Sequence, residues 1–126
     1  MEKKIINSKD APAPVGPYNQ AVMAGDTLYI SGQIALDPET GKIVKGGIAE
    51  ETGQVMRNLR AVLQSAGMDY GNVVKCSIFI TDMNDFSIVN EVYGSFFSND
   101  SPARETVEVS RLPKDARVEI SCIAVK

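Results

Sequence analysis

The sequence predicts an α+β fold, a mixed β-sheet with two helices packed on one face. Three observations carry that reading. Apolar residues recur at intervals of three or four over 48–66 and again over 86–97, the spacing of one helix face. Five short runs rich in alternating or β-branched residues lie outside those stretches. Gly, Pro and Asp clusters punctuate the boundaries between them. With 126 residues, 44% hydrophobic and 23% charged, the chain suffices for one domain, 1–126, with its own core.

The elements follow in chain order. Residues 10–20, DAPAPVGPYNQ, hold three of the six prolines and read as extended, irregular backbone. AVMA and TLYIS flank Gly25-Asp26, which predicts a tight hairpin. The second of these strands runs into Ser31-Gly32, where glycine lets other groups approach the backbone. DPETG at 37–41 is a surface turn. The first helix places Ile48, Val55, Met56, Leu59, Val62, Leu63 and Ala66 on one face, with Gly47 before it and Gly67 after it as caps. VVKCSIFI at 73–80 is a buried strand. Asn84 or Asp85 can cap the second helix, whose stripe is Phe86, Val89, Tyr93, Phe96 and Phe97. Strands over 103–110 and 117–125, joined by the turn LPKDA, complete the order ββ–α–β–α–ββ. In the last strand Val118, Ile120, Cys122 and Ala124 share one face, and Arg117, Glu119, Ser121, Ile123 and Val125 the other. That second face mixes apolar and polar residues, as an oligomer interface with a wet site in it would.

Composition weighs against several functions. A net charge of −3 with no Lys/Arg block argues against a nucleic-acid target, which needs a basic stripe to release counterions. No apolar run approaches the ~20 residues of a membrane helix, and MEKKIINSKD lacks the apolar centre of a signal peptide, so the expectation is a cytoplasmic protein. Two cysteines and no histidine cannot build a structural zinc site. Cys76 and Cys122, 46 positions apart, read as small buried hydrophobes. Nucleophile-elbow, phosphate-loop, dinucleotide and CxxC motifs are all missing, and a Ser-His-Asp mechanism is impossible without histidine.

A short set of candidates survives. Arg104, at the start of the strand in SPARETVEV, offers a planar cationic fork that matches a carboxylate; the plainer reading is a solvated charge or an ion-pair partner on an edge strand. Alternation then sends Val107 and Val109 to the opposite side, towards the core. Glu119 lies on the other face from Val118 and Ile120, as an acid–base group or as a partner for Arg117. Tyr18 is a hydroxyl donor or a loop anchor, and Ser31 a donor or a strand-end cap.

Taken together, four stretches resemble the Rid (reactive intermediate deaminase, YjgF-like) family across essentially the whole chain. They are APAPVGPYNQA at 11–21, ISGQIALDPETG at 30–41, VNEVYGSFF at 89–97 and PARETVEVSRLPKDARVEI at 102–120. The resemblance implies a chorismate-mutase-like fold assembled as a homotrimer, with sites in the clefts between subunits and no metal or cofactor. It implies hydrolysis of small 2-imino acids and their enamine tautomers, such as 2-aminoacrylate, to 2-keto acids and ammonia. Carried over by position, Arg104 binds the substrate carboxylate and Glu119 positions water, with Tyr18 and Ser31 near the substrate. Gly32 contacts ligand through its backbone, and Asn90 lines the cleft. Family members with this activity commonly read PARSCVEV, so Thr106, carried over as a substrate-binding position, replaces a cysteine and Glu105 a serine; Thr106 substitutes if that cysteine contributes only backbone groups, and activity falls or the ligand changes if its thiol matters. Glu105 is expected to point away from Arg104 while adding negative charge near an anion site. Two other classes remain: a non-catalytic trimer that binds 2-keto acids, and an RNA-cleaving or partner-binding protein.

Overall fold

The computed structural model describes residues 2–126. Its strands and helices run β1 (Lys3–Ile6), β2 (Ala21–Ala24), β3 (Thr27–Gln33), α1 (Ile48–Ser65), β4 (Val73–Ile80), α2 (Phe86–Gly94), β5 (Ala103–Glu108) and β6 (Val118–Val125). They form one sheet in the order β1-β2-β3-β6-β4-β5. Only the β4–β5 pair is parallel, so the sheet is mixed, as predicted.

One strand is additional to the predicted order. β1, KKII, pairs antiparallel with β2, Ile6 opposite Ala21. Three of its four residues are exposed and only Ile6 is buried, so no hydrophobic alternation marks it. It is a strand because β2 offers it hydrogen-bonding groups, and its lysines blunt the sheet edge against further pairing.

The first helix matches its periodicity closely. Gly67, at φ +73°, takes the left-handed turn that ends it. Its N–H donates to the Gln64 carbonyl at 3.0 Å, and that of Met68 to the Leu63 carbonyl at 2.9 Å. Those two bonds satisfy carbonyls the helix would otherwise leave open. Before α2 the cap differs from expectation. Asp85 occupies the N-cap position without a side-chain bond, and the Asp82 carboxylate accepts instead from the Asn84 N–H in the preceding 3₁₀ turn.

Both helices cover one face of the sheet. Beneath them lie Val118, Ile120, Cys122 and Ala124 of β6, and Cys76, Ile78 and Ile80 of β4, none above 4% exposed. Val55, Met56, Leu59, Val62 and Leu63 of α1 fill the other side of that layer. Each large aliphatic side chain buried there contributes roughly 1.5–3 kcal/mol. The opposite face is left open, with Tyr29, Val107 and Val125 exposed on it.

Val107 corrects the sequence reading. It faces Phe79 across β4–β5, and Phe79 faces Glu119 across β4–β6, so all three lie on the open face. Arg104, not Val107, points to the helix-covered side, in register with buried Cys76. Val109 lies beyond the strand end and half-buries in a small second cluster with Ile34, Leu36 and Leu112.

β5 and β6 are joined through a 3₁₀ turn, Pro113–Asp115. Lys114 and Asp115 there both take left-handed backbone, at φ 57° and 56°. That conformation costs a residue with a Cβ roughly 1–2 kcal/mol, partly offset for glycine by its freer unfolded chain. Lys114→Gly should therefore stabilise the protein by about 0.5 kcal/mol, seen as a higher urea midpoint at unchanged slope.

Candidate active site

Glu119, Gly32, Tyr18 and Ser31 come together on the open face. The β3–β6 register slips between Ile30 and Gln33: Ile30 faces Cys122 and Gln33 faces Ile120. Three steps on β3 thus oppose two on β6, and the extra residue forms a bulge at Ser31-Gly32. Glu119 lies against that bulge. A Cβ on Gly32 would sit 2.6 Å from the Glu119 carboxyl carbon, so only glycine admits the carboxylate here. The Ser31 hydroxyl donates to the Asn19 carbonyl at 2.7 Å, and its N–H to the Gln20 carbonyl at 2.9 Å. It therefore does the work of a strand cap.

The loop 8–20 forms the wall of this cleft. Gln20 is 2% exposed, and its amide nitrogen donates to the carbonyls of Ser8 and Pro12 at 3.1 and 2.9 Å. Its side-chain oxygen accepts from the Ser8 N–H. One buried amide thereby ties a proline-rich segment whose own backbone cannot pair in a ladder. At the tip Tyr18 is exposed, and its hydroxyl accepts from the Val15 N–H at 3.2 Å. The cleft so formed is small, with a cavity volume of about 40 Å³, between Pro12, Tyr18, Gln33, Pro113 and Glu119. Gln20 and Pro113 were not singled out from sequence; a buried glutamine among prolines was the available signal. Burial raises the Glu119 carboxyl above the ordinary glutamate range.

Arg104, Asn90 and Thr106 form a second cluster on the covered side of β5. One Arg104 guanidinium nitrogen donates to the Asn90 side-chain oxygen at 2.6 Å. The guanidinium carbon lies 5.0 Å from the Tyr93 ring centre and 5.8 Å from that of Phe86. Helix α2 thus supplies an amide and two aromatic faces that hold the cation in place. Among the described residues no carboxylate pairs with it. The Thr106 and Tyr93 hydroxyls are buried with no hydrogen-bond partner. Such orphaned groups are costly, and a cluster of them beside an unpaired guanidinium is suited to an anionic ligand.

Glu105 points the other way, as alternation predicts. It pairs with Lys75 at 2.9 Å and accepts from the Ser77 hydroxyl, both on the open face. Its charge is locally answered and lowered in pKa, first by Ser77 and then by Lys75.

Within one chain, then, Arg104 and Glu119 occupy opposite faces of the same sheet. The sequence resemblance groups them in one site, and the structure resolves that group into two half-sites. Among the described residues no cluster of three or more potential metal ligands occurs, and no helix is long and apolar enough to cross a membrane.

Residues 8–126 match the family model described as Endoribonuclease L-PSP. The chain is 51% identical to a RutC family protein of Pyrococcus horikoshii, covering 98% of each. It is 48% identical to a 2-iminobutanoate/2-iminopropanoate deaminase of Mus musculus, over 98% of this chain and 92% of that one. The structure is similar to that of E. coli TdcF with bound serine, with a TM-score of 0.94 at 41% identity and 98% of each chain covered.

Glu119 yields a pH prediction. A carboxyl whose folded pKa is raised contributes stability that is full below its unfolded pKa and is lost as pH rises through the folded one. Glu119→Gln should therefore melt at a higher temperature than the parent near neutral pH. The gap should close as the pH falls below the ordinary glutamate range, in calorimetry across a pH series.

Proposed function

The chain belongs to the Rid family (Endoribonuclease L-PSP), and on that premise we propose that it is an imine deaminase, hydrolysing 2-imino acids to 2-keto acids and ammonia. The observation that carries this reading is the Arg104 guanidinium, held by Asn90 and Tyr93 yet without an anion of its own. A 2-imino acid supplies a carboxylate for that fork, and binding it bidentately fixes the reacting carbon. Serine bound to the TdcF structure is likewise a small amino acid with a free carboxylate.

Glu119 then performs the proton transfers that histidine would perform elsewhere. Burial favours its protonated form, ready to donate to the imine nitrogen. The iminium carbon becomes electrophilic, and the carboxylate takes a proton from water as the hydroxyl adds. The carbinolamine then receives that proton on nitrogen and expels ammonia. Its hydroxyl proton returns to Glu119 as the keto group forms, so the acid ends as it began.

This chemistry needs Arg104 and Glu119 on one substrate, which a single chain does not allow. We infer that the open face packs against other copies in a homotrimer, bringing one subunit's Arg104 to the next subunit's Glu119. The exposed Tyr29, Val107 and Val125 are the apolar surface such packing would cover. Thr106 fits the same cleft. Its buried, unpaired hydroxyl can donate to the substrate carboxylate beside Arg104.

The decisive assay generates 2-iminopropanoate in situ and follows pyruvate formation. Arg104→Ala and Glu119→Gln should each abolish acceleration, whereas unfolding and reassociating them together should restore about a quarter of parent activity, because that share of inter-subunit sites is intact. Saturable carboxylate binding without turnover in the parent would instead identify a receptor for 2-keto acids. Thr106→Val should raise KM by about five- to tenfold, the worth of one hydrogen bond, with little change in kcat. The same variant should be more stable than the parent, since it deletes an orphaned hydroxyl; Thr106→Ser should keep the parent KM.

A further inference from the structure

Cys76 and Cys122, unrelated by spacing in sequence, face each other directly across β4 and β6. Both are reduced and buried on the helix-covered side. Opposed residues in an antiparallel pair have Cα atoms about 4.5–5.5 Å apart. A disulfide spans Cα separations of about 4.4–6.8 Å. The backbone pairing therefore falls within the span a disulfide can bridge.

The pair is also placed beside the arginine half-site. Cys76 is in register with Cys122 on one side and with Arg104 of β5 on the other, making one row across three strands. Tyr93 packs over the same row, its ring under Arg104 and its hydroxyl unpartnered. The two thiols differ in acidity. Cys122, donating to its neighbour, lowers the Cys76 pKa against the effect of burial, with the Arg104 charge adding to it. Cys122 is correspondingly pushed up, by that contact first and then by burial. Cys76, in register with the Arg104 cation, is placed to be the attacking sulfur, with Cys122 the resolving one.

We propose that Cys76 and Cys122 are a redox-active pair, oxidised by hydrogen peroxide to an intrachain disulfide that weakens the Arg104 half-site. The Cys76 thiolate attacks one peroxide oxygen, breaking the O–O bond and leaving a sulfenic acid and hydroxide, which takes up a proton to become water. Cys122 sulfur then attacks the Cys76 sulfur, its thiol proton leaving with the displaced hydroxide as a second water. Two electrons pass from the thiols to peroxide, and a thiol reductant reverses the change. Peroxide is water-sized, and burial of both sulfurs makes local opening the gate for its arrival. Drawing the Cys76 sulfur towards Cys122 shifts the residue paired with Arg104 across β4–β5 and so alters the packing around the guanidinium. The effect on Arg104 rests on the function proposed above, while the disulfide itself does not.

The test treats folded protein with hydrogen peroxide, blocks remaining thiols under denaturing conditions and maps peptides by mass spectrometry. The expected product is a linked pair of peptides containing Cys76 and Cys122, with loss of two hydrogens and full reversal by dithiothreitol. Cys122→Ser should stop at a Cys76 sulfenic acid that a dimedone probe captures, and Cys76→Ser should give no such adduct. Imine hydrolysis should fall severalfold on oxidation of the parent, through a rise in KM, and recover on reduction. Thiols that stay fully alkylatable after peroxide, a disulfide between chains, or a disulfide form with unchanged KM would each overturn the proposal. A reversible intrachain disulfide in a protein that hydrolyses no imine in either state would count against the function while supporting the thiol pair.

Discussion

Strand β6 sits between β3 and β4, and its alternation decides nearly everything else. Its even-numbered residues are sealed under the helices, and none of them is more than 4% exposed. Moving the strand by one residue would turn Val118, Ile120, Cys122 and Ala124 out to the open face. The apolar cost of that exchange fixes the register, and the register fixes Glu119 against the bulge in β3. The same alternation, transmitted through β4, sets Arg104 on the covered side. Core packing and site geometry are therefore one constraint seen from two faces.

Much of this was legible because both helices and the central strands carry strong periodic signals. β4 was bounded to the residue, and α1 nearly so, since each buries a continuous face. The strands that departed from expectation share one physical cause. β1 and β5 are edge strands, and an edge strand's sides are set by whichever strand pairs with it. The pairing of β5 parallel to β4 brings Arg104 beside Cys76, and nothing within SPARETVEV reveals it. Hence Val107 was assigned to the core when it faces outward. For the site, alternation showed which residues share a side within each strand, but not which sides of different strands coincide. Arg104 and Glu119 looked adjacent in role, and only the sheet shows them separated by its thickness.

The two departures at 105 and 106 also separate along that line. Glu105, the more alarming as a charge, faces outward to Lys75 and Ser77 and leaves the arginine alone. Thr106, the milder replacement, faces inward with its hydroxyl unmatched. Severity of a substitution here follows the direction of the side chain and not its formal charge.

Gln20 has a consequence for how this scaffold can vary. Its amide grips the 8–20 segment through main-chain atoms, not through the side chains of the residues it holds. Such a clasp is indifferent to what Ala13 or Val15 carries. The cleft wall can therefore be rewritten residue by residue while its path stays anchored, which separates the evolvability of ligand choice from the integrity of the fold. A scaffold with that division can be retuned towards new small ligands without first being restabilised.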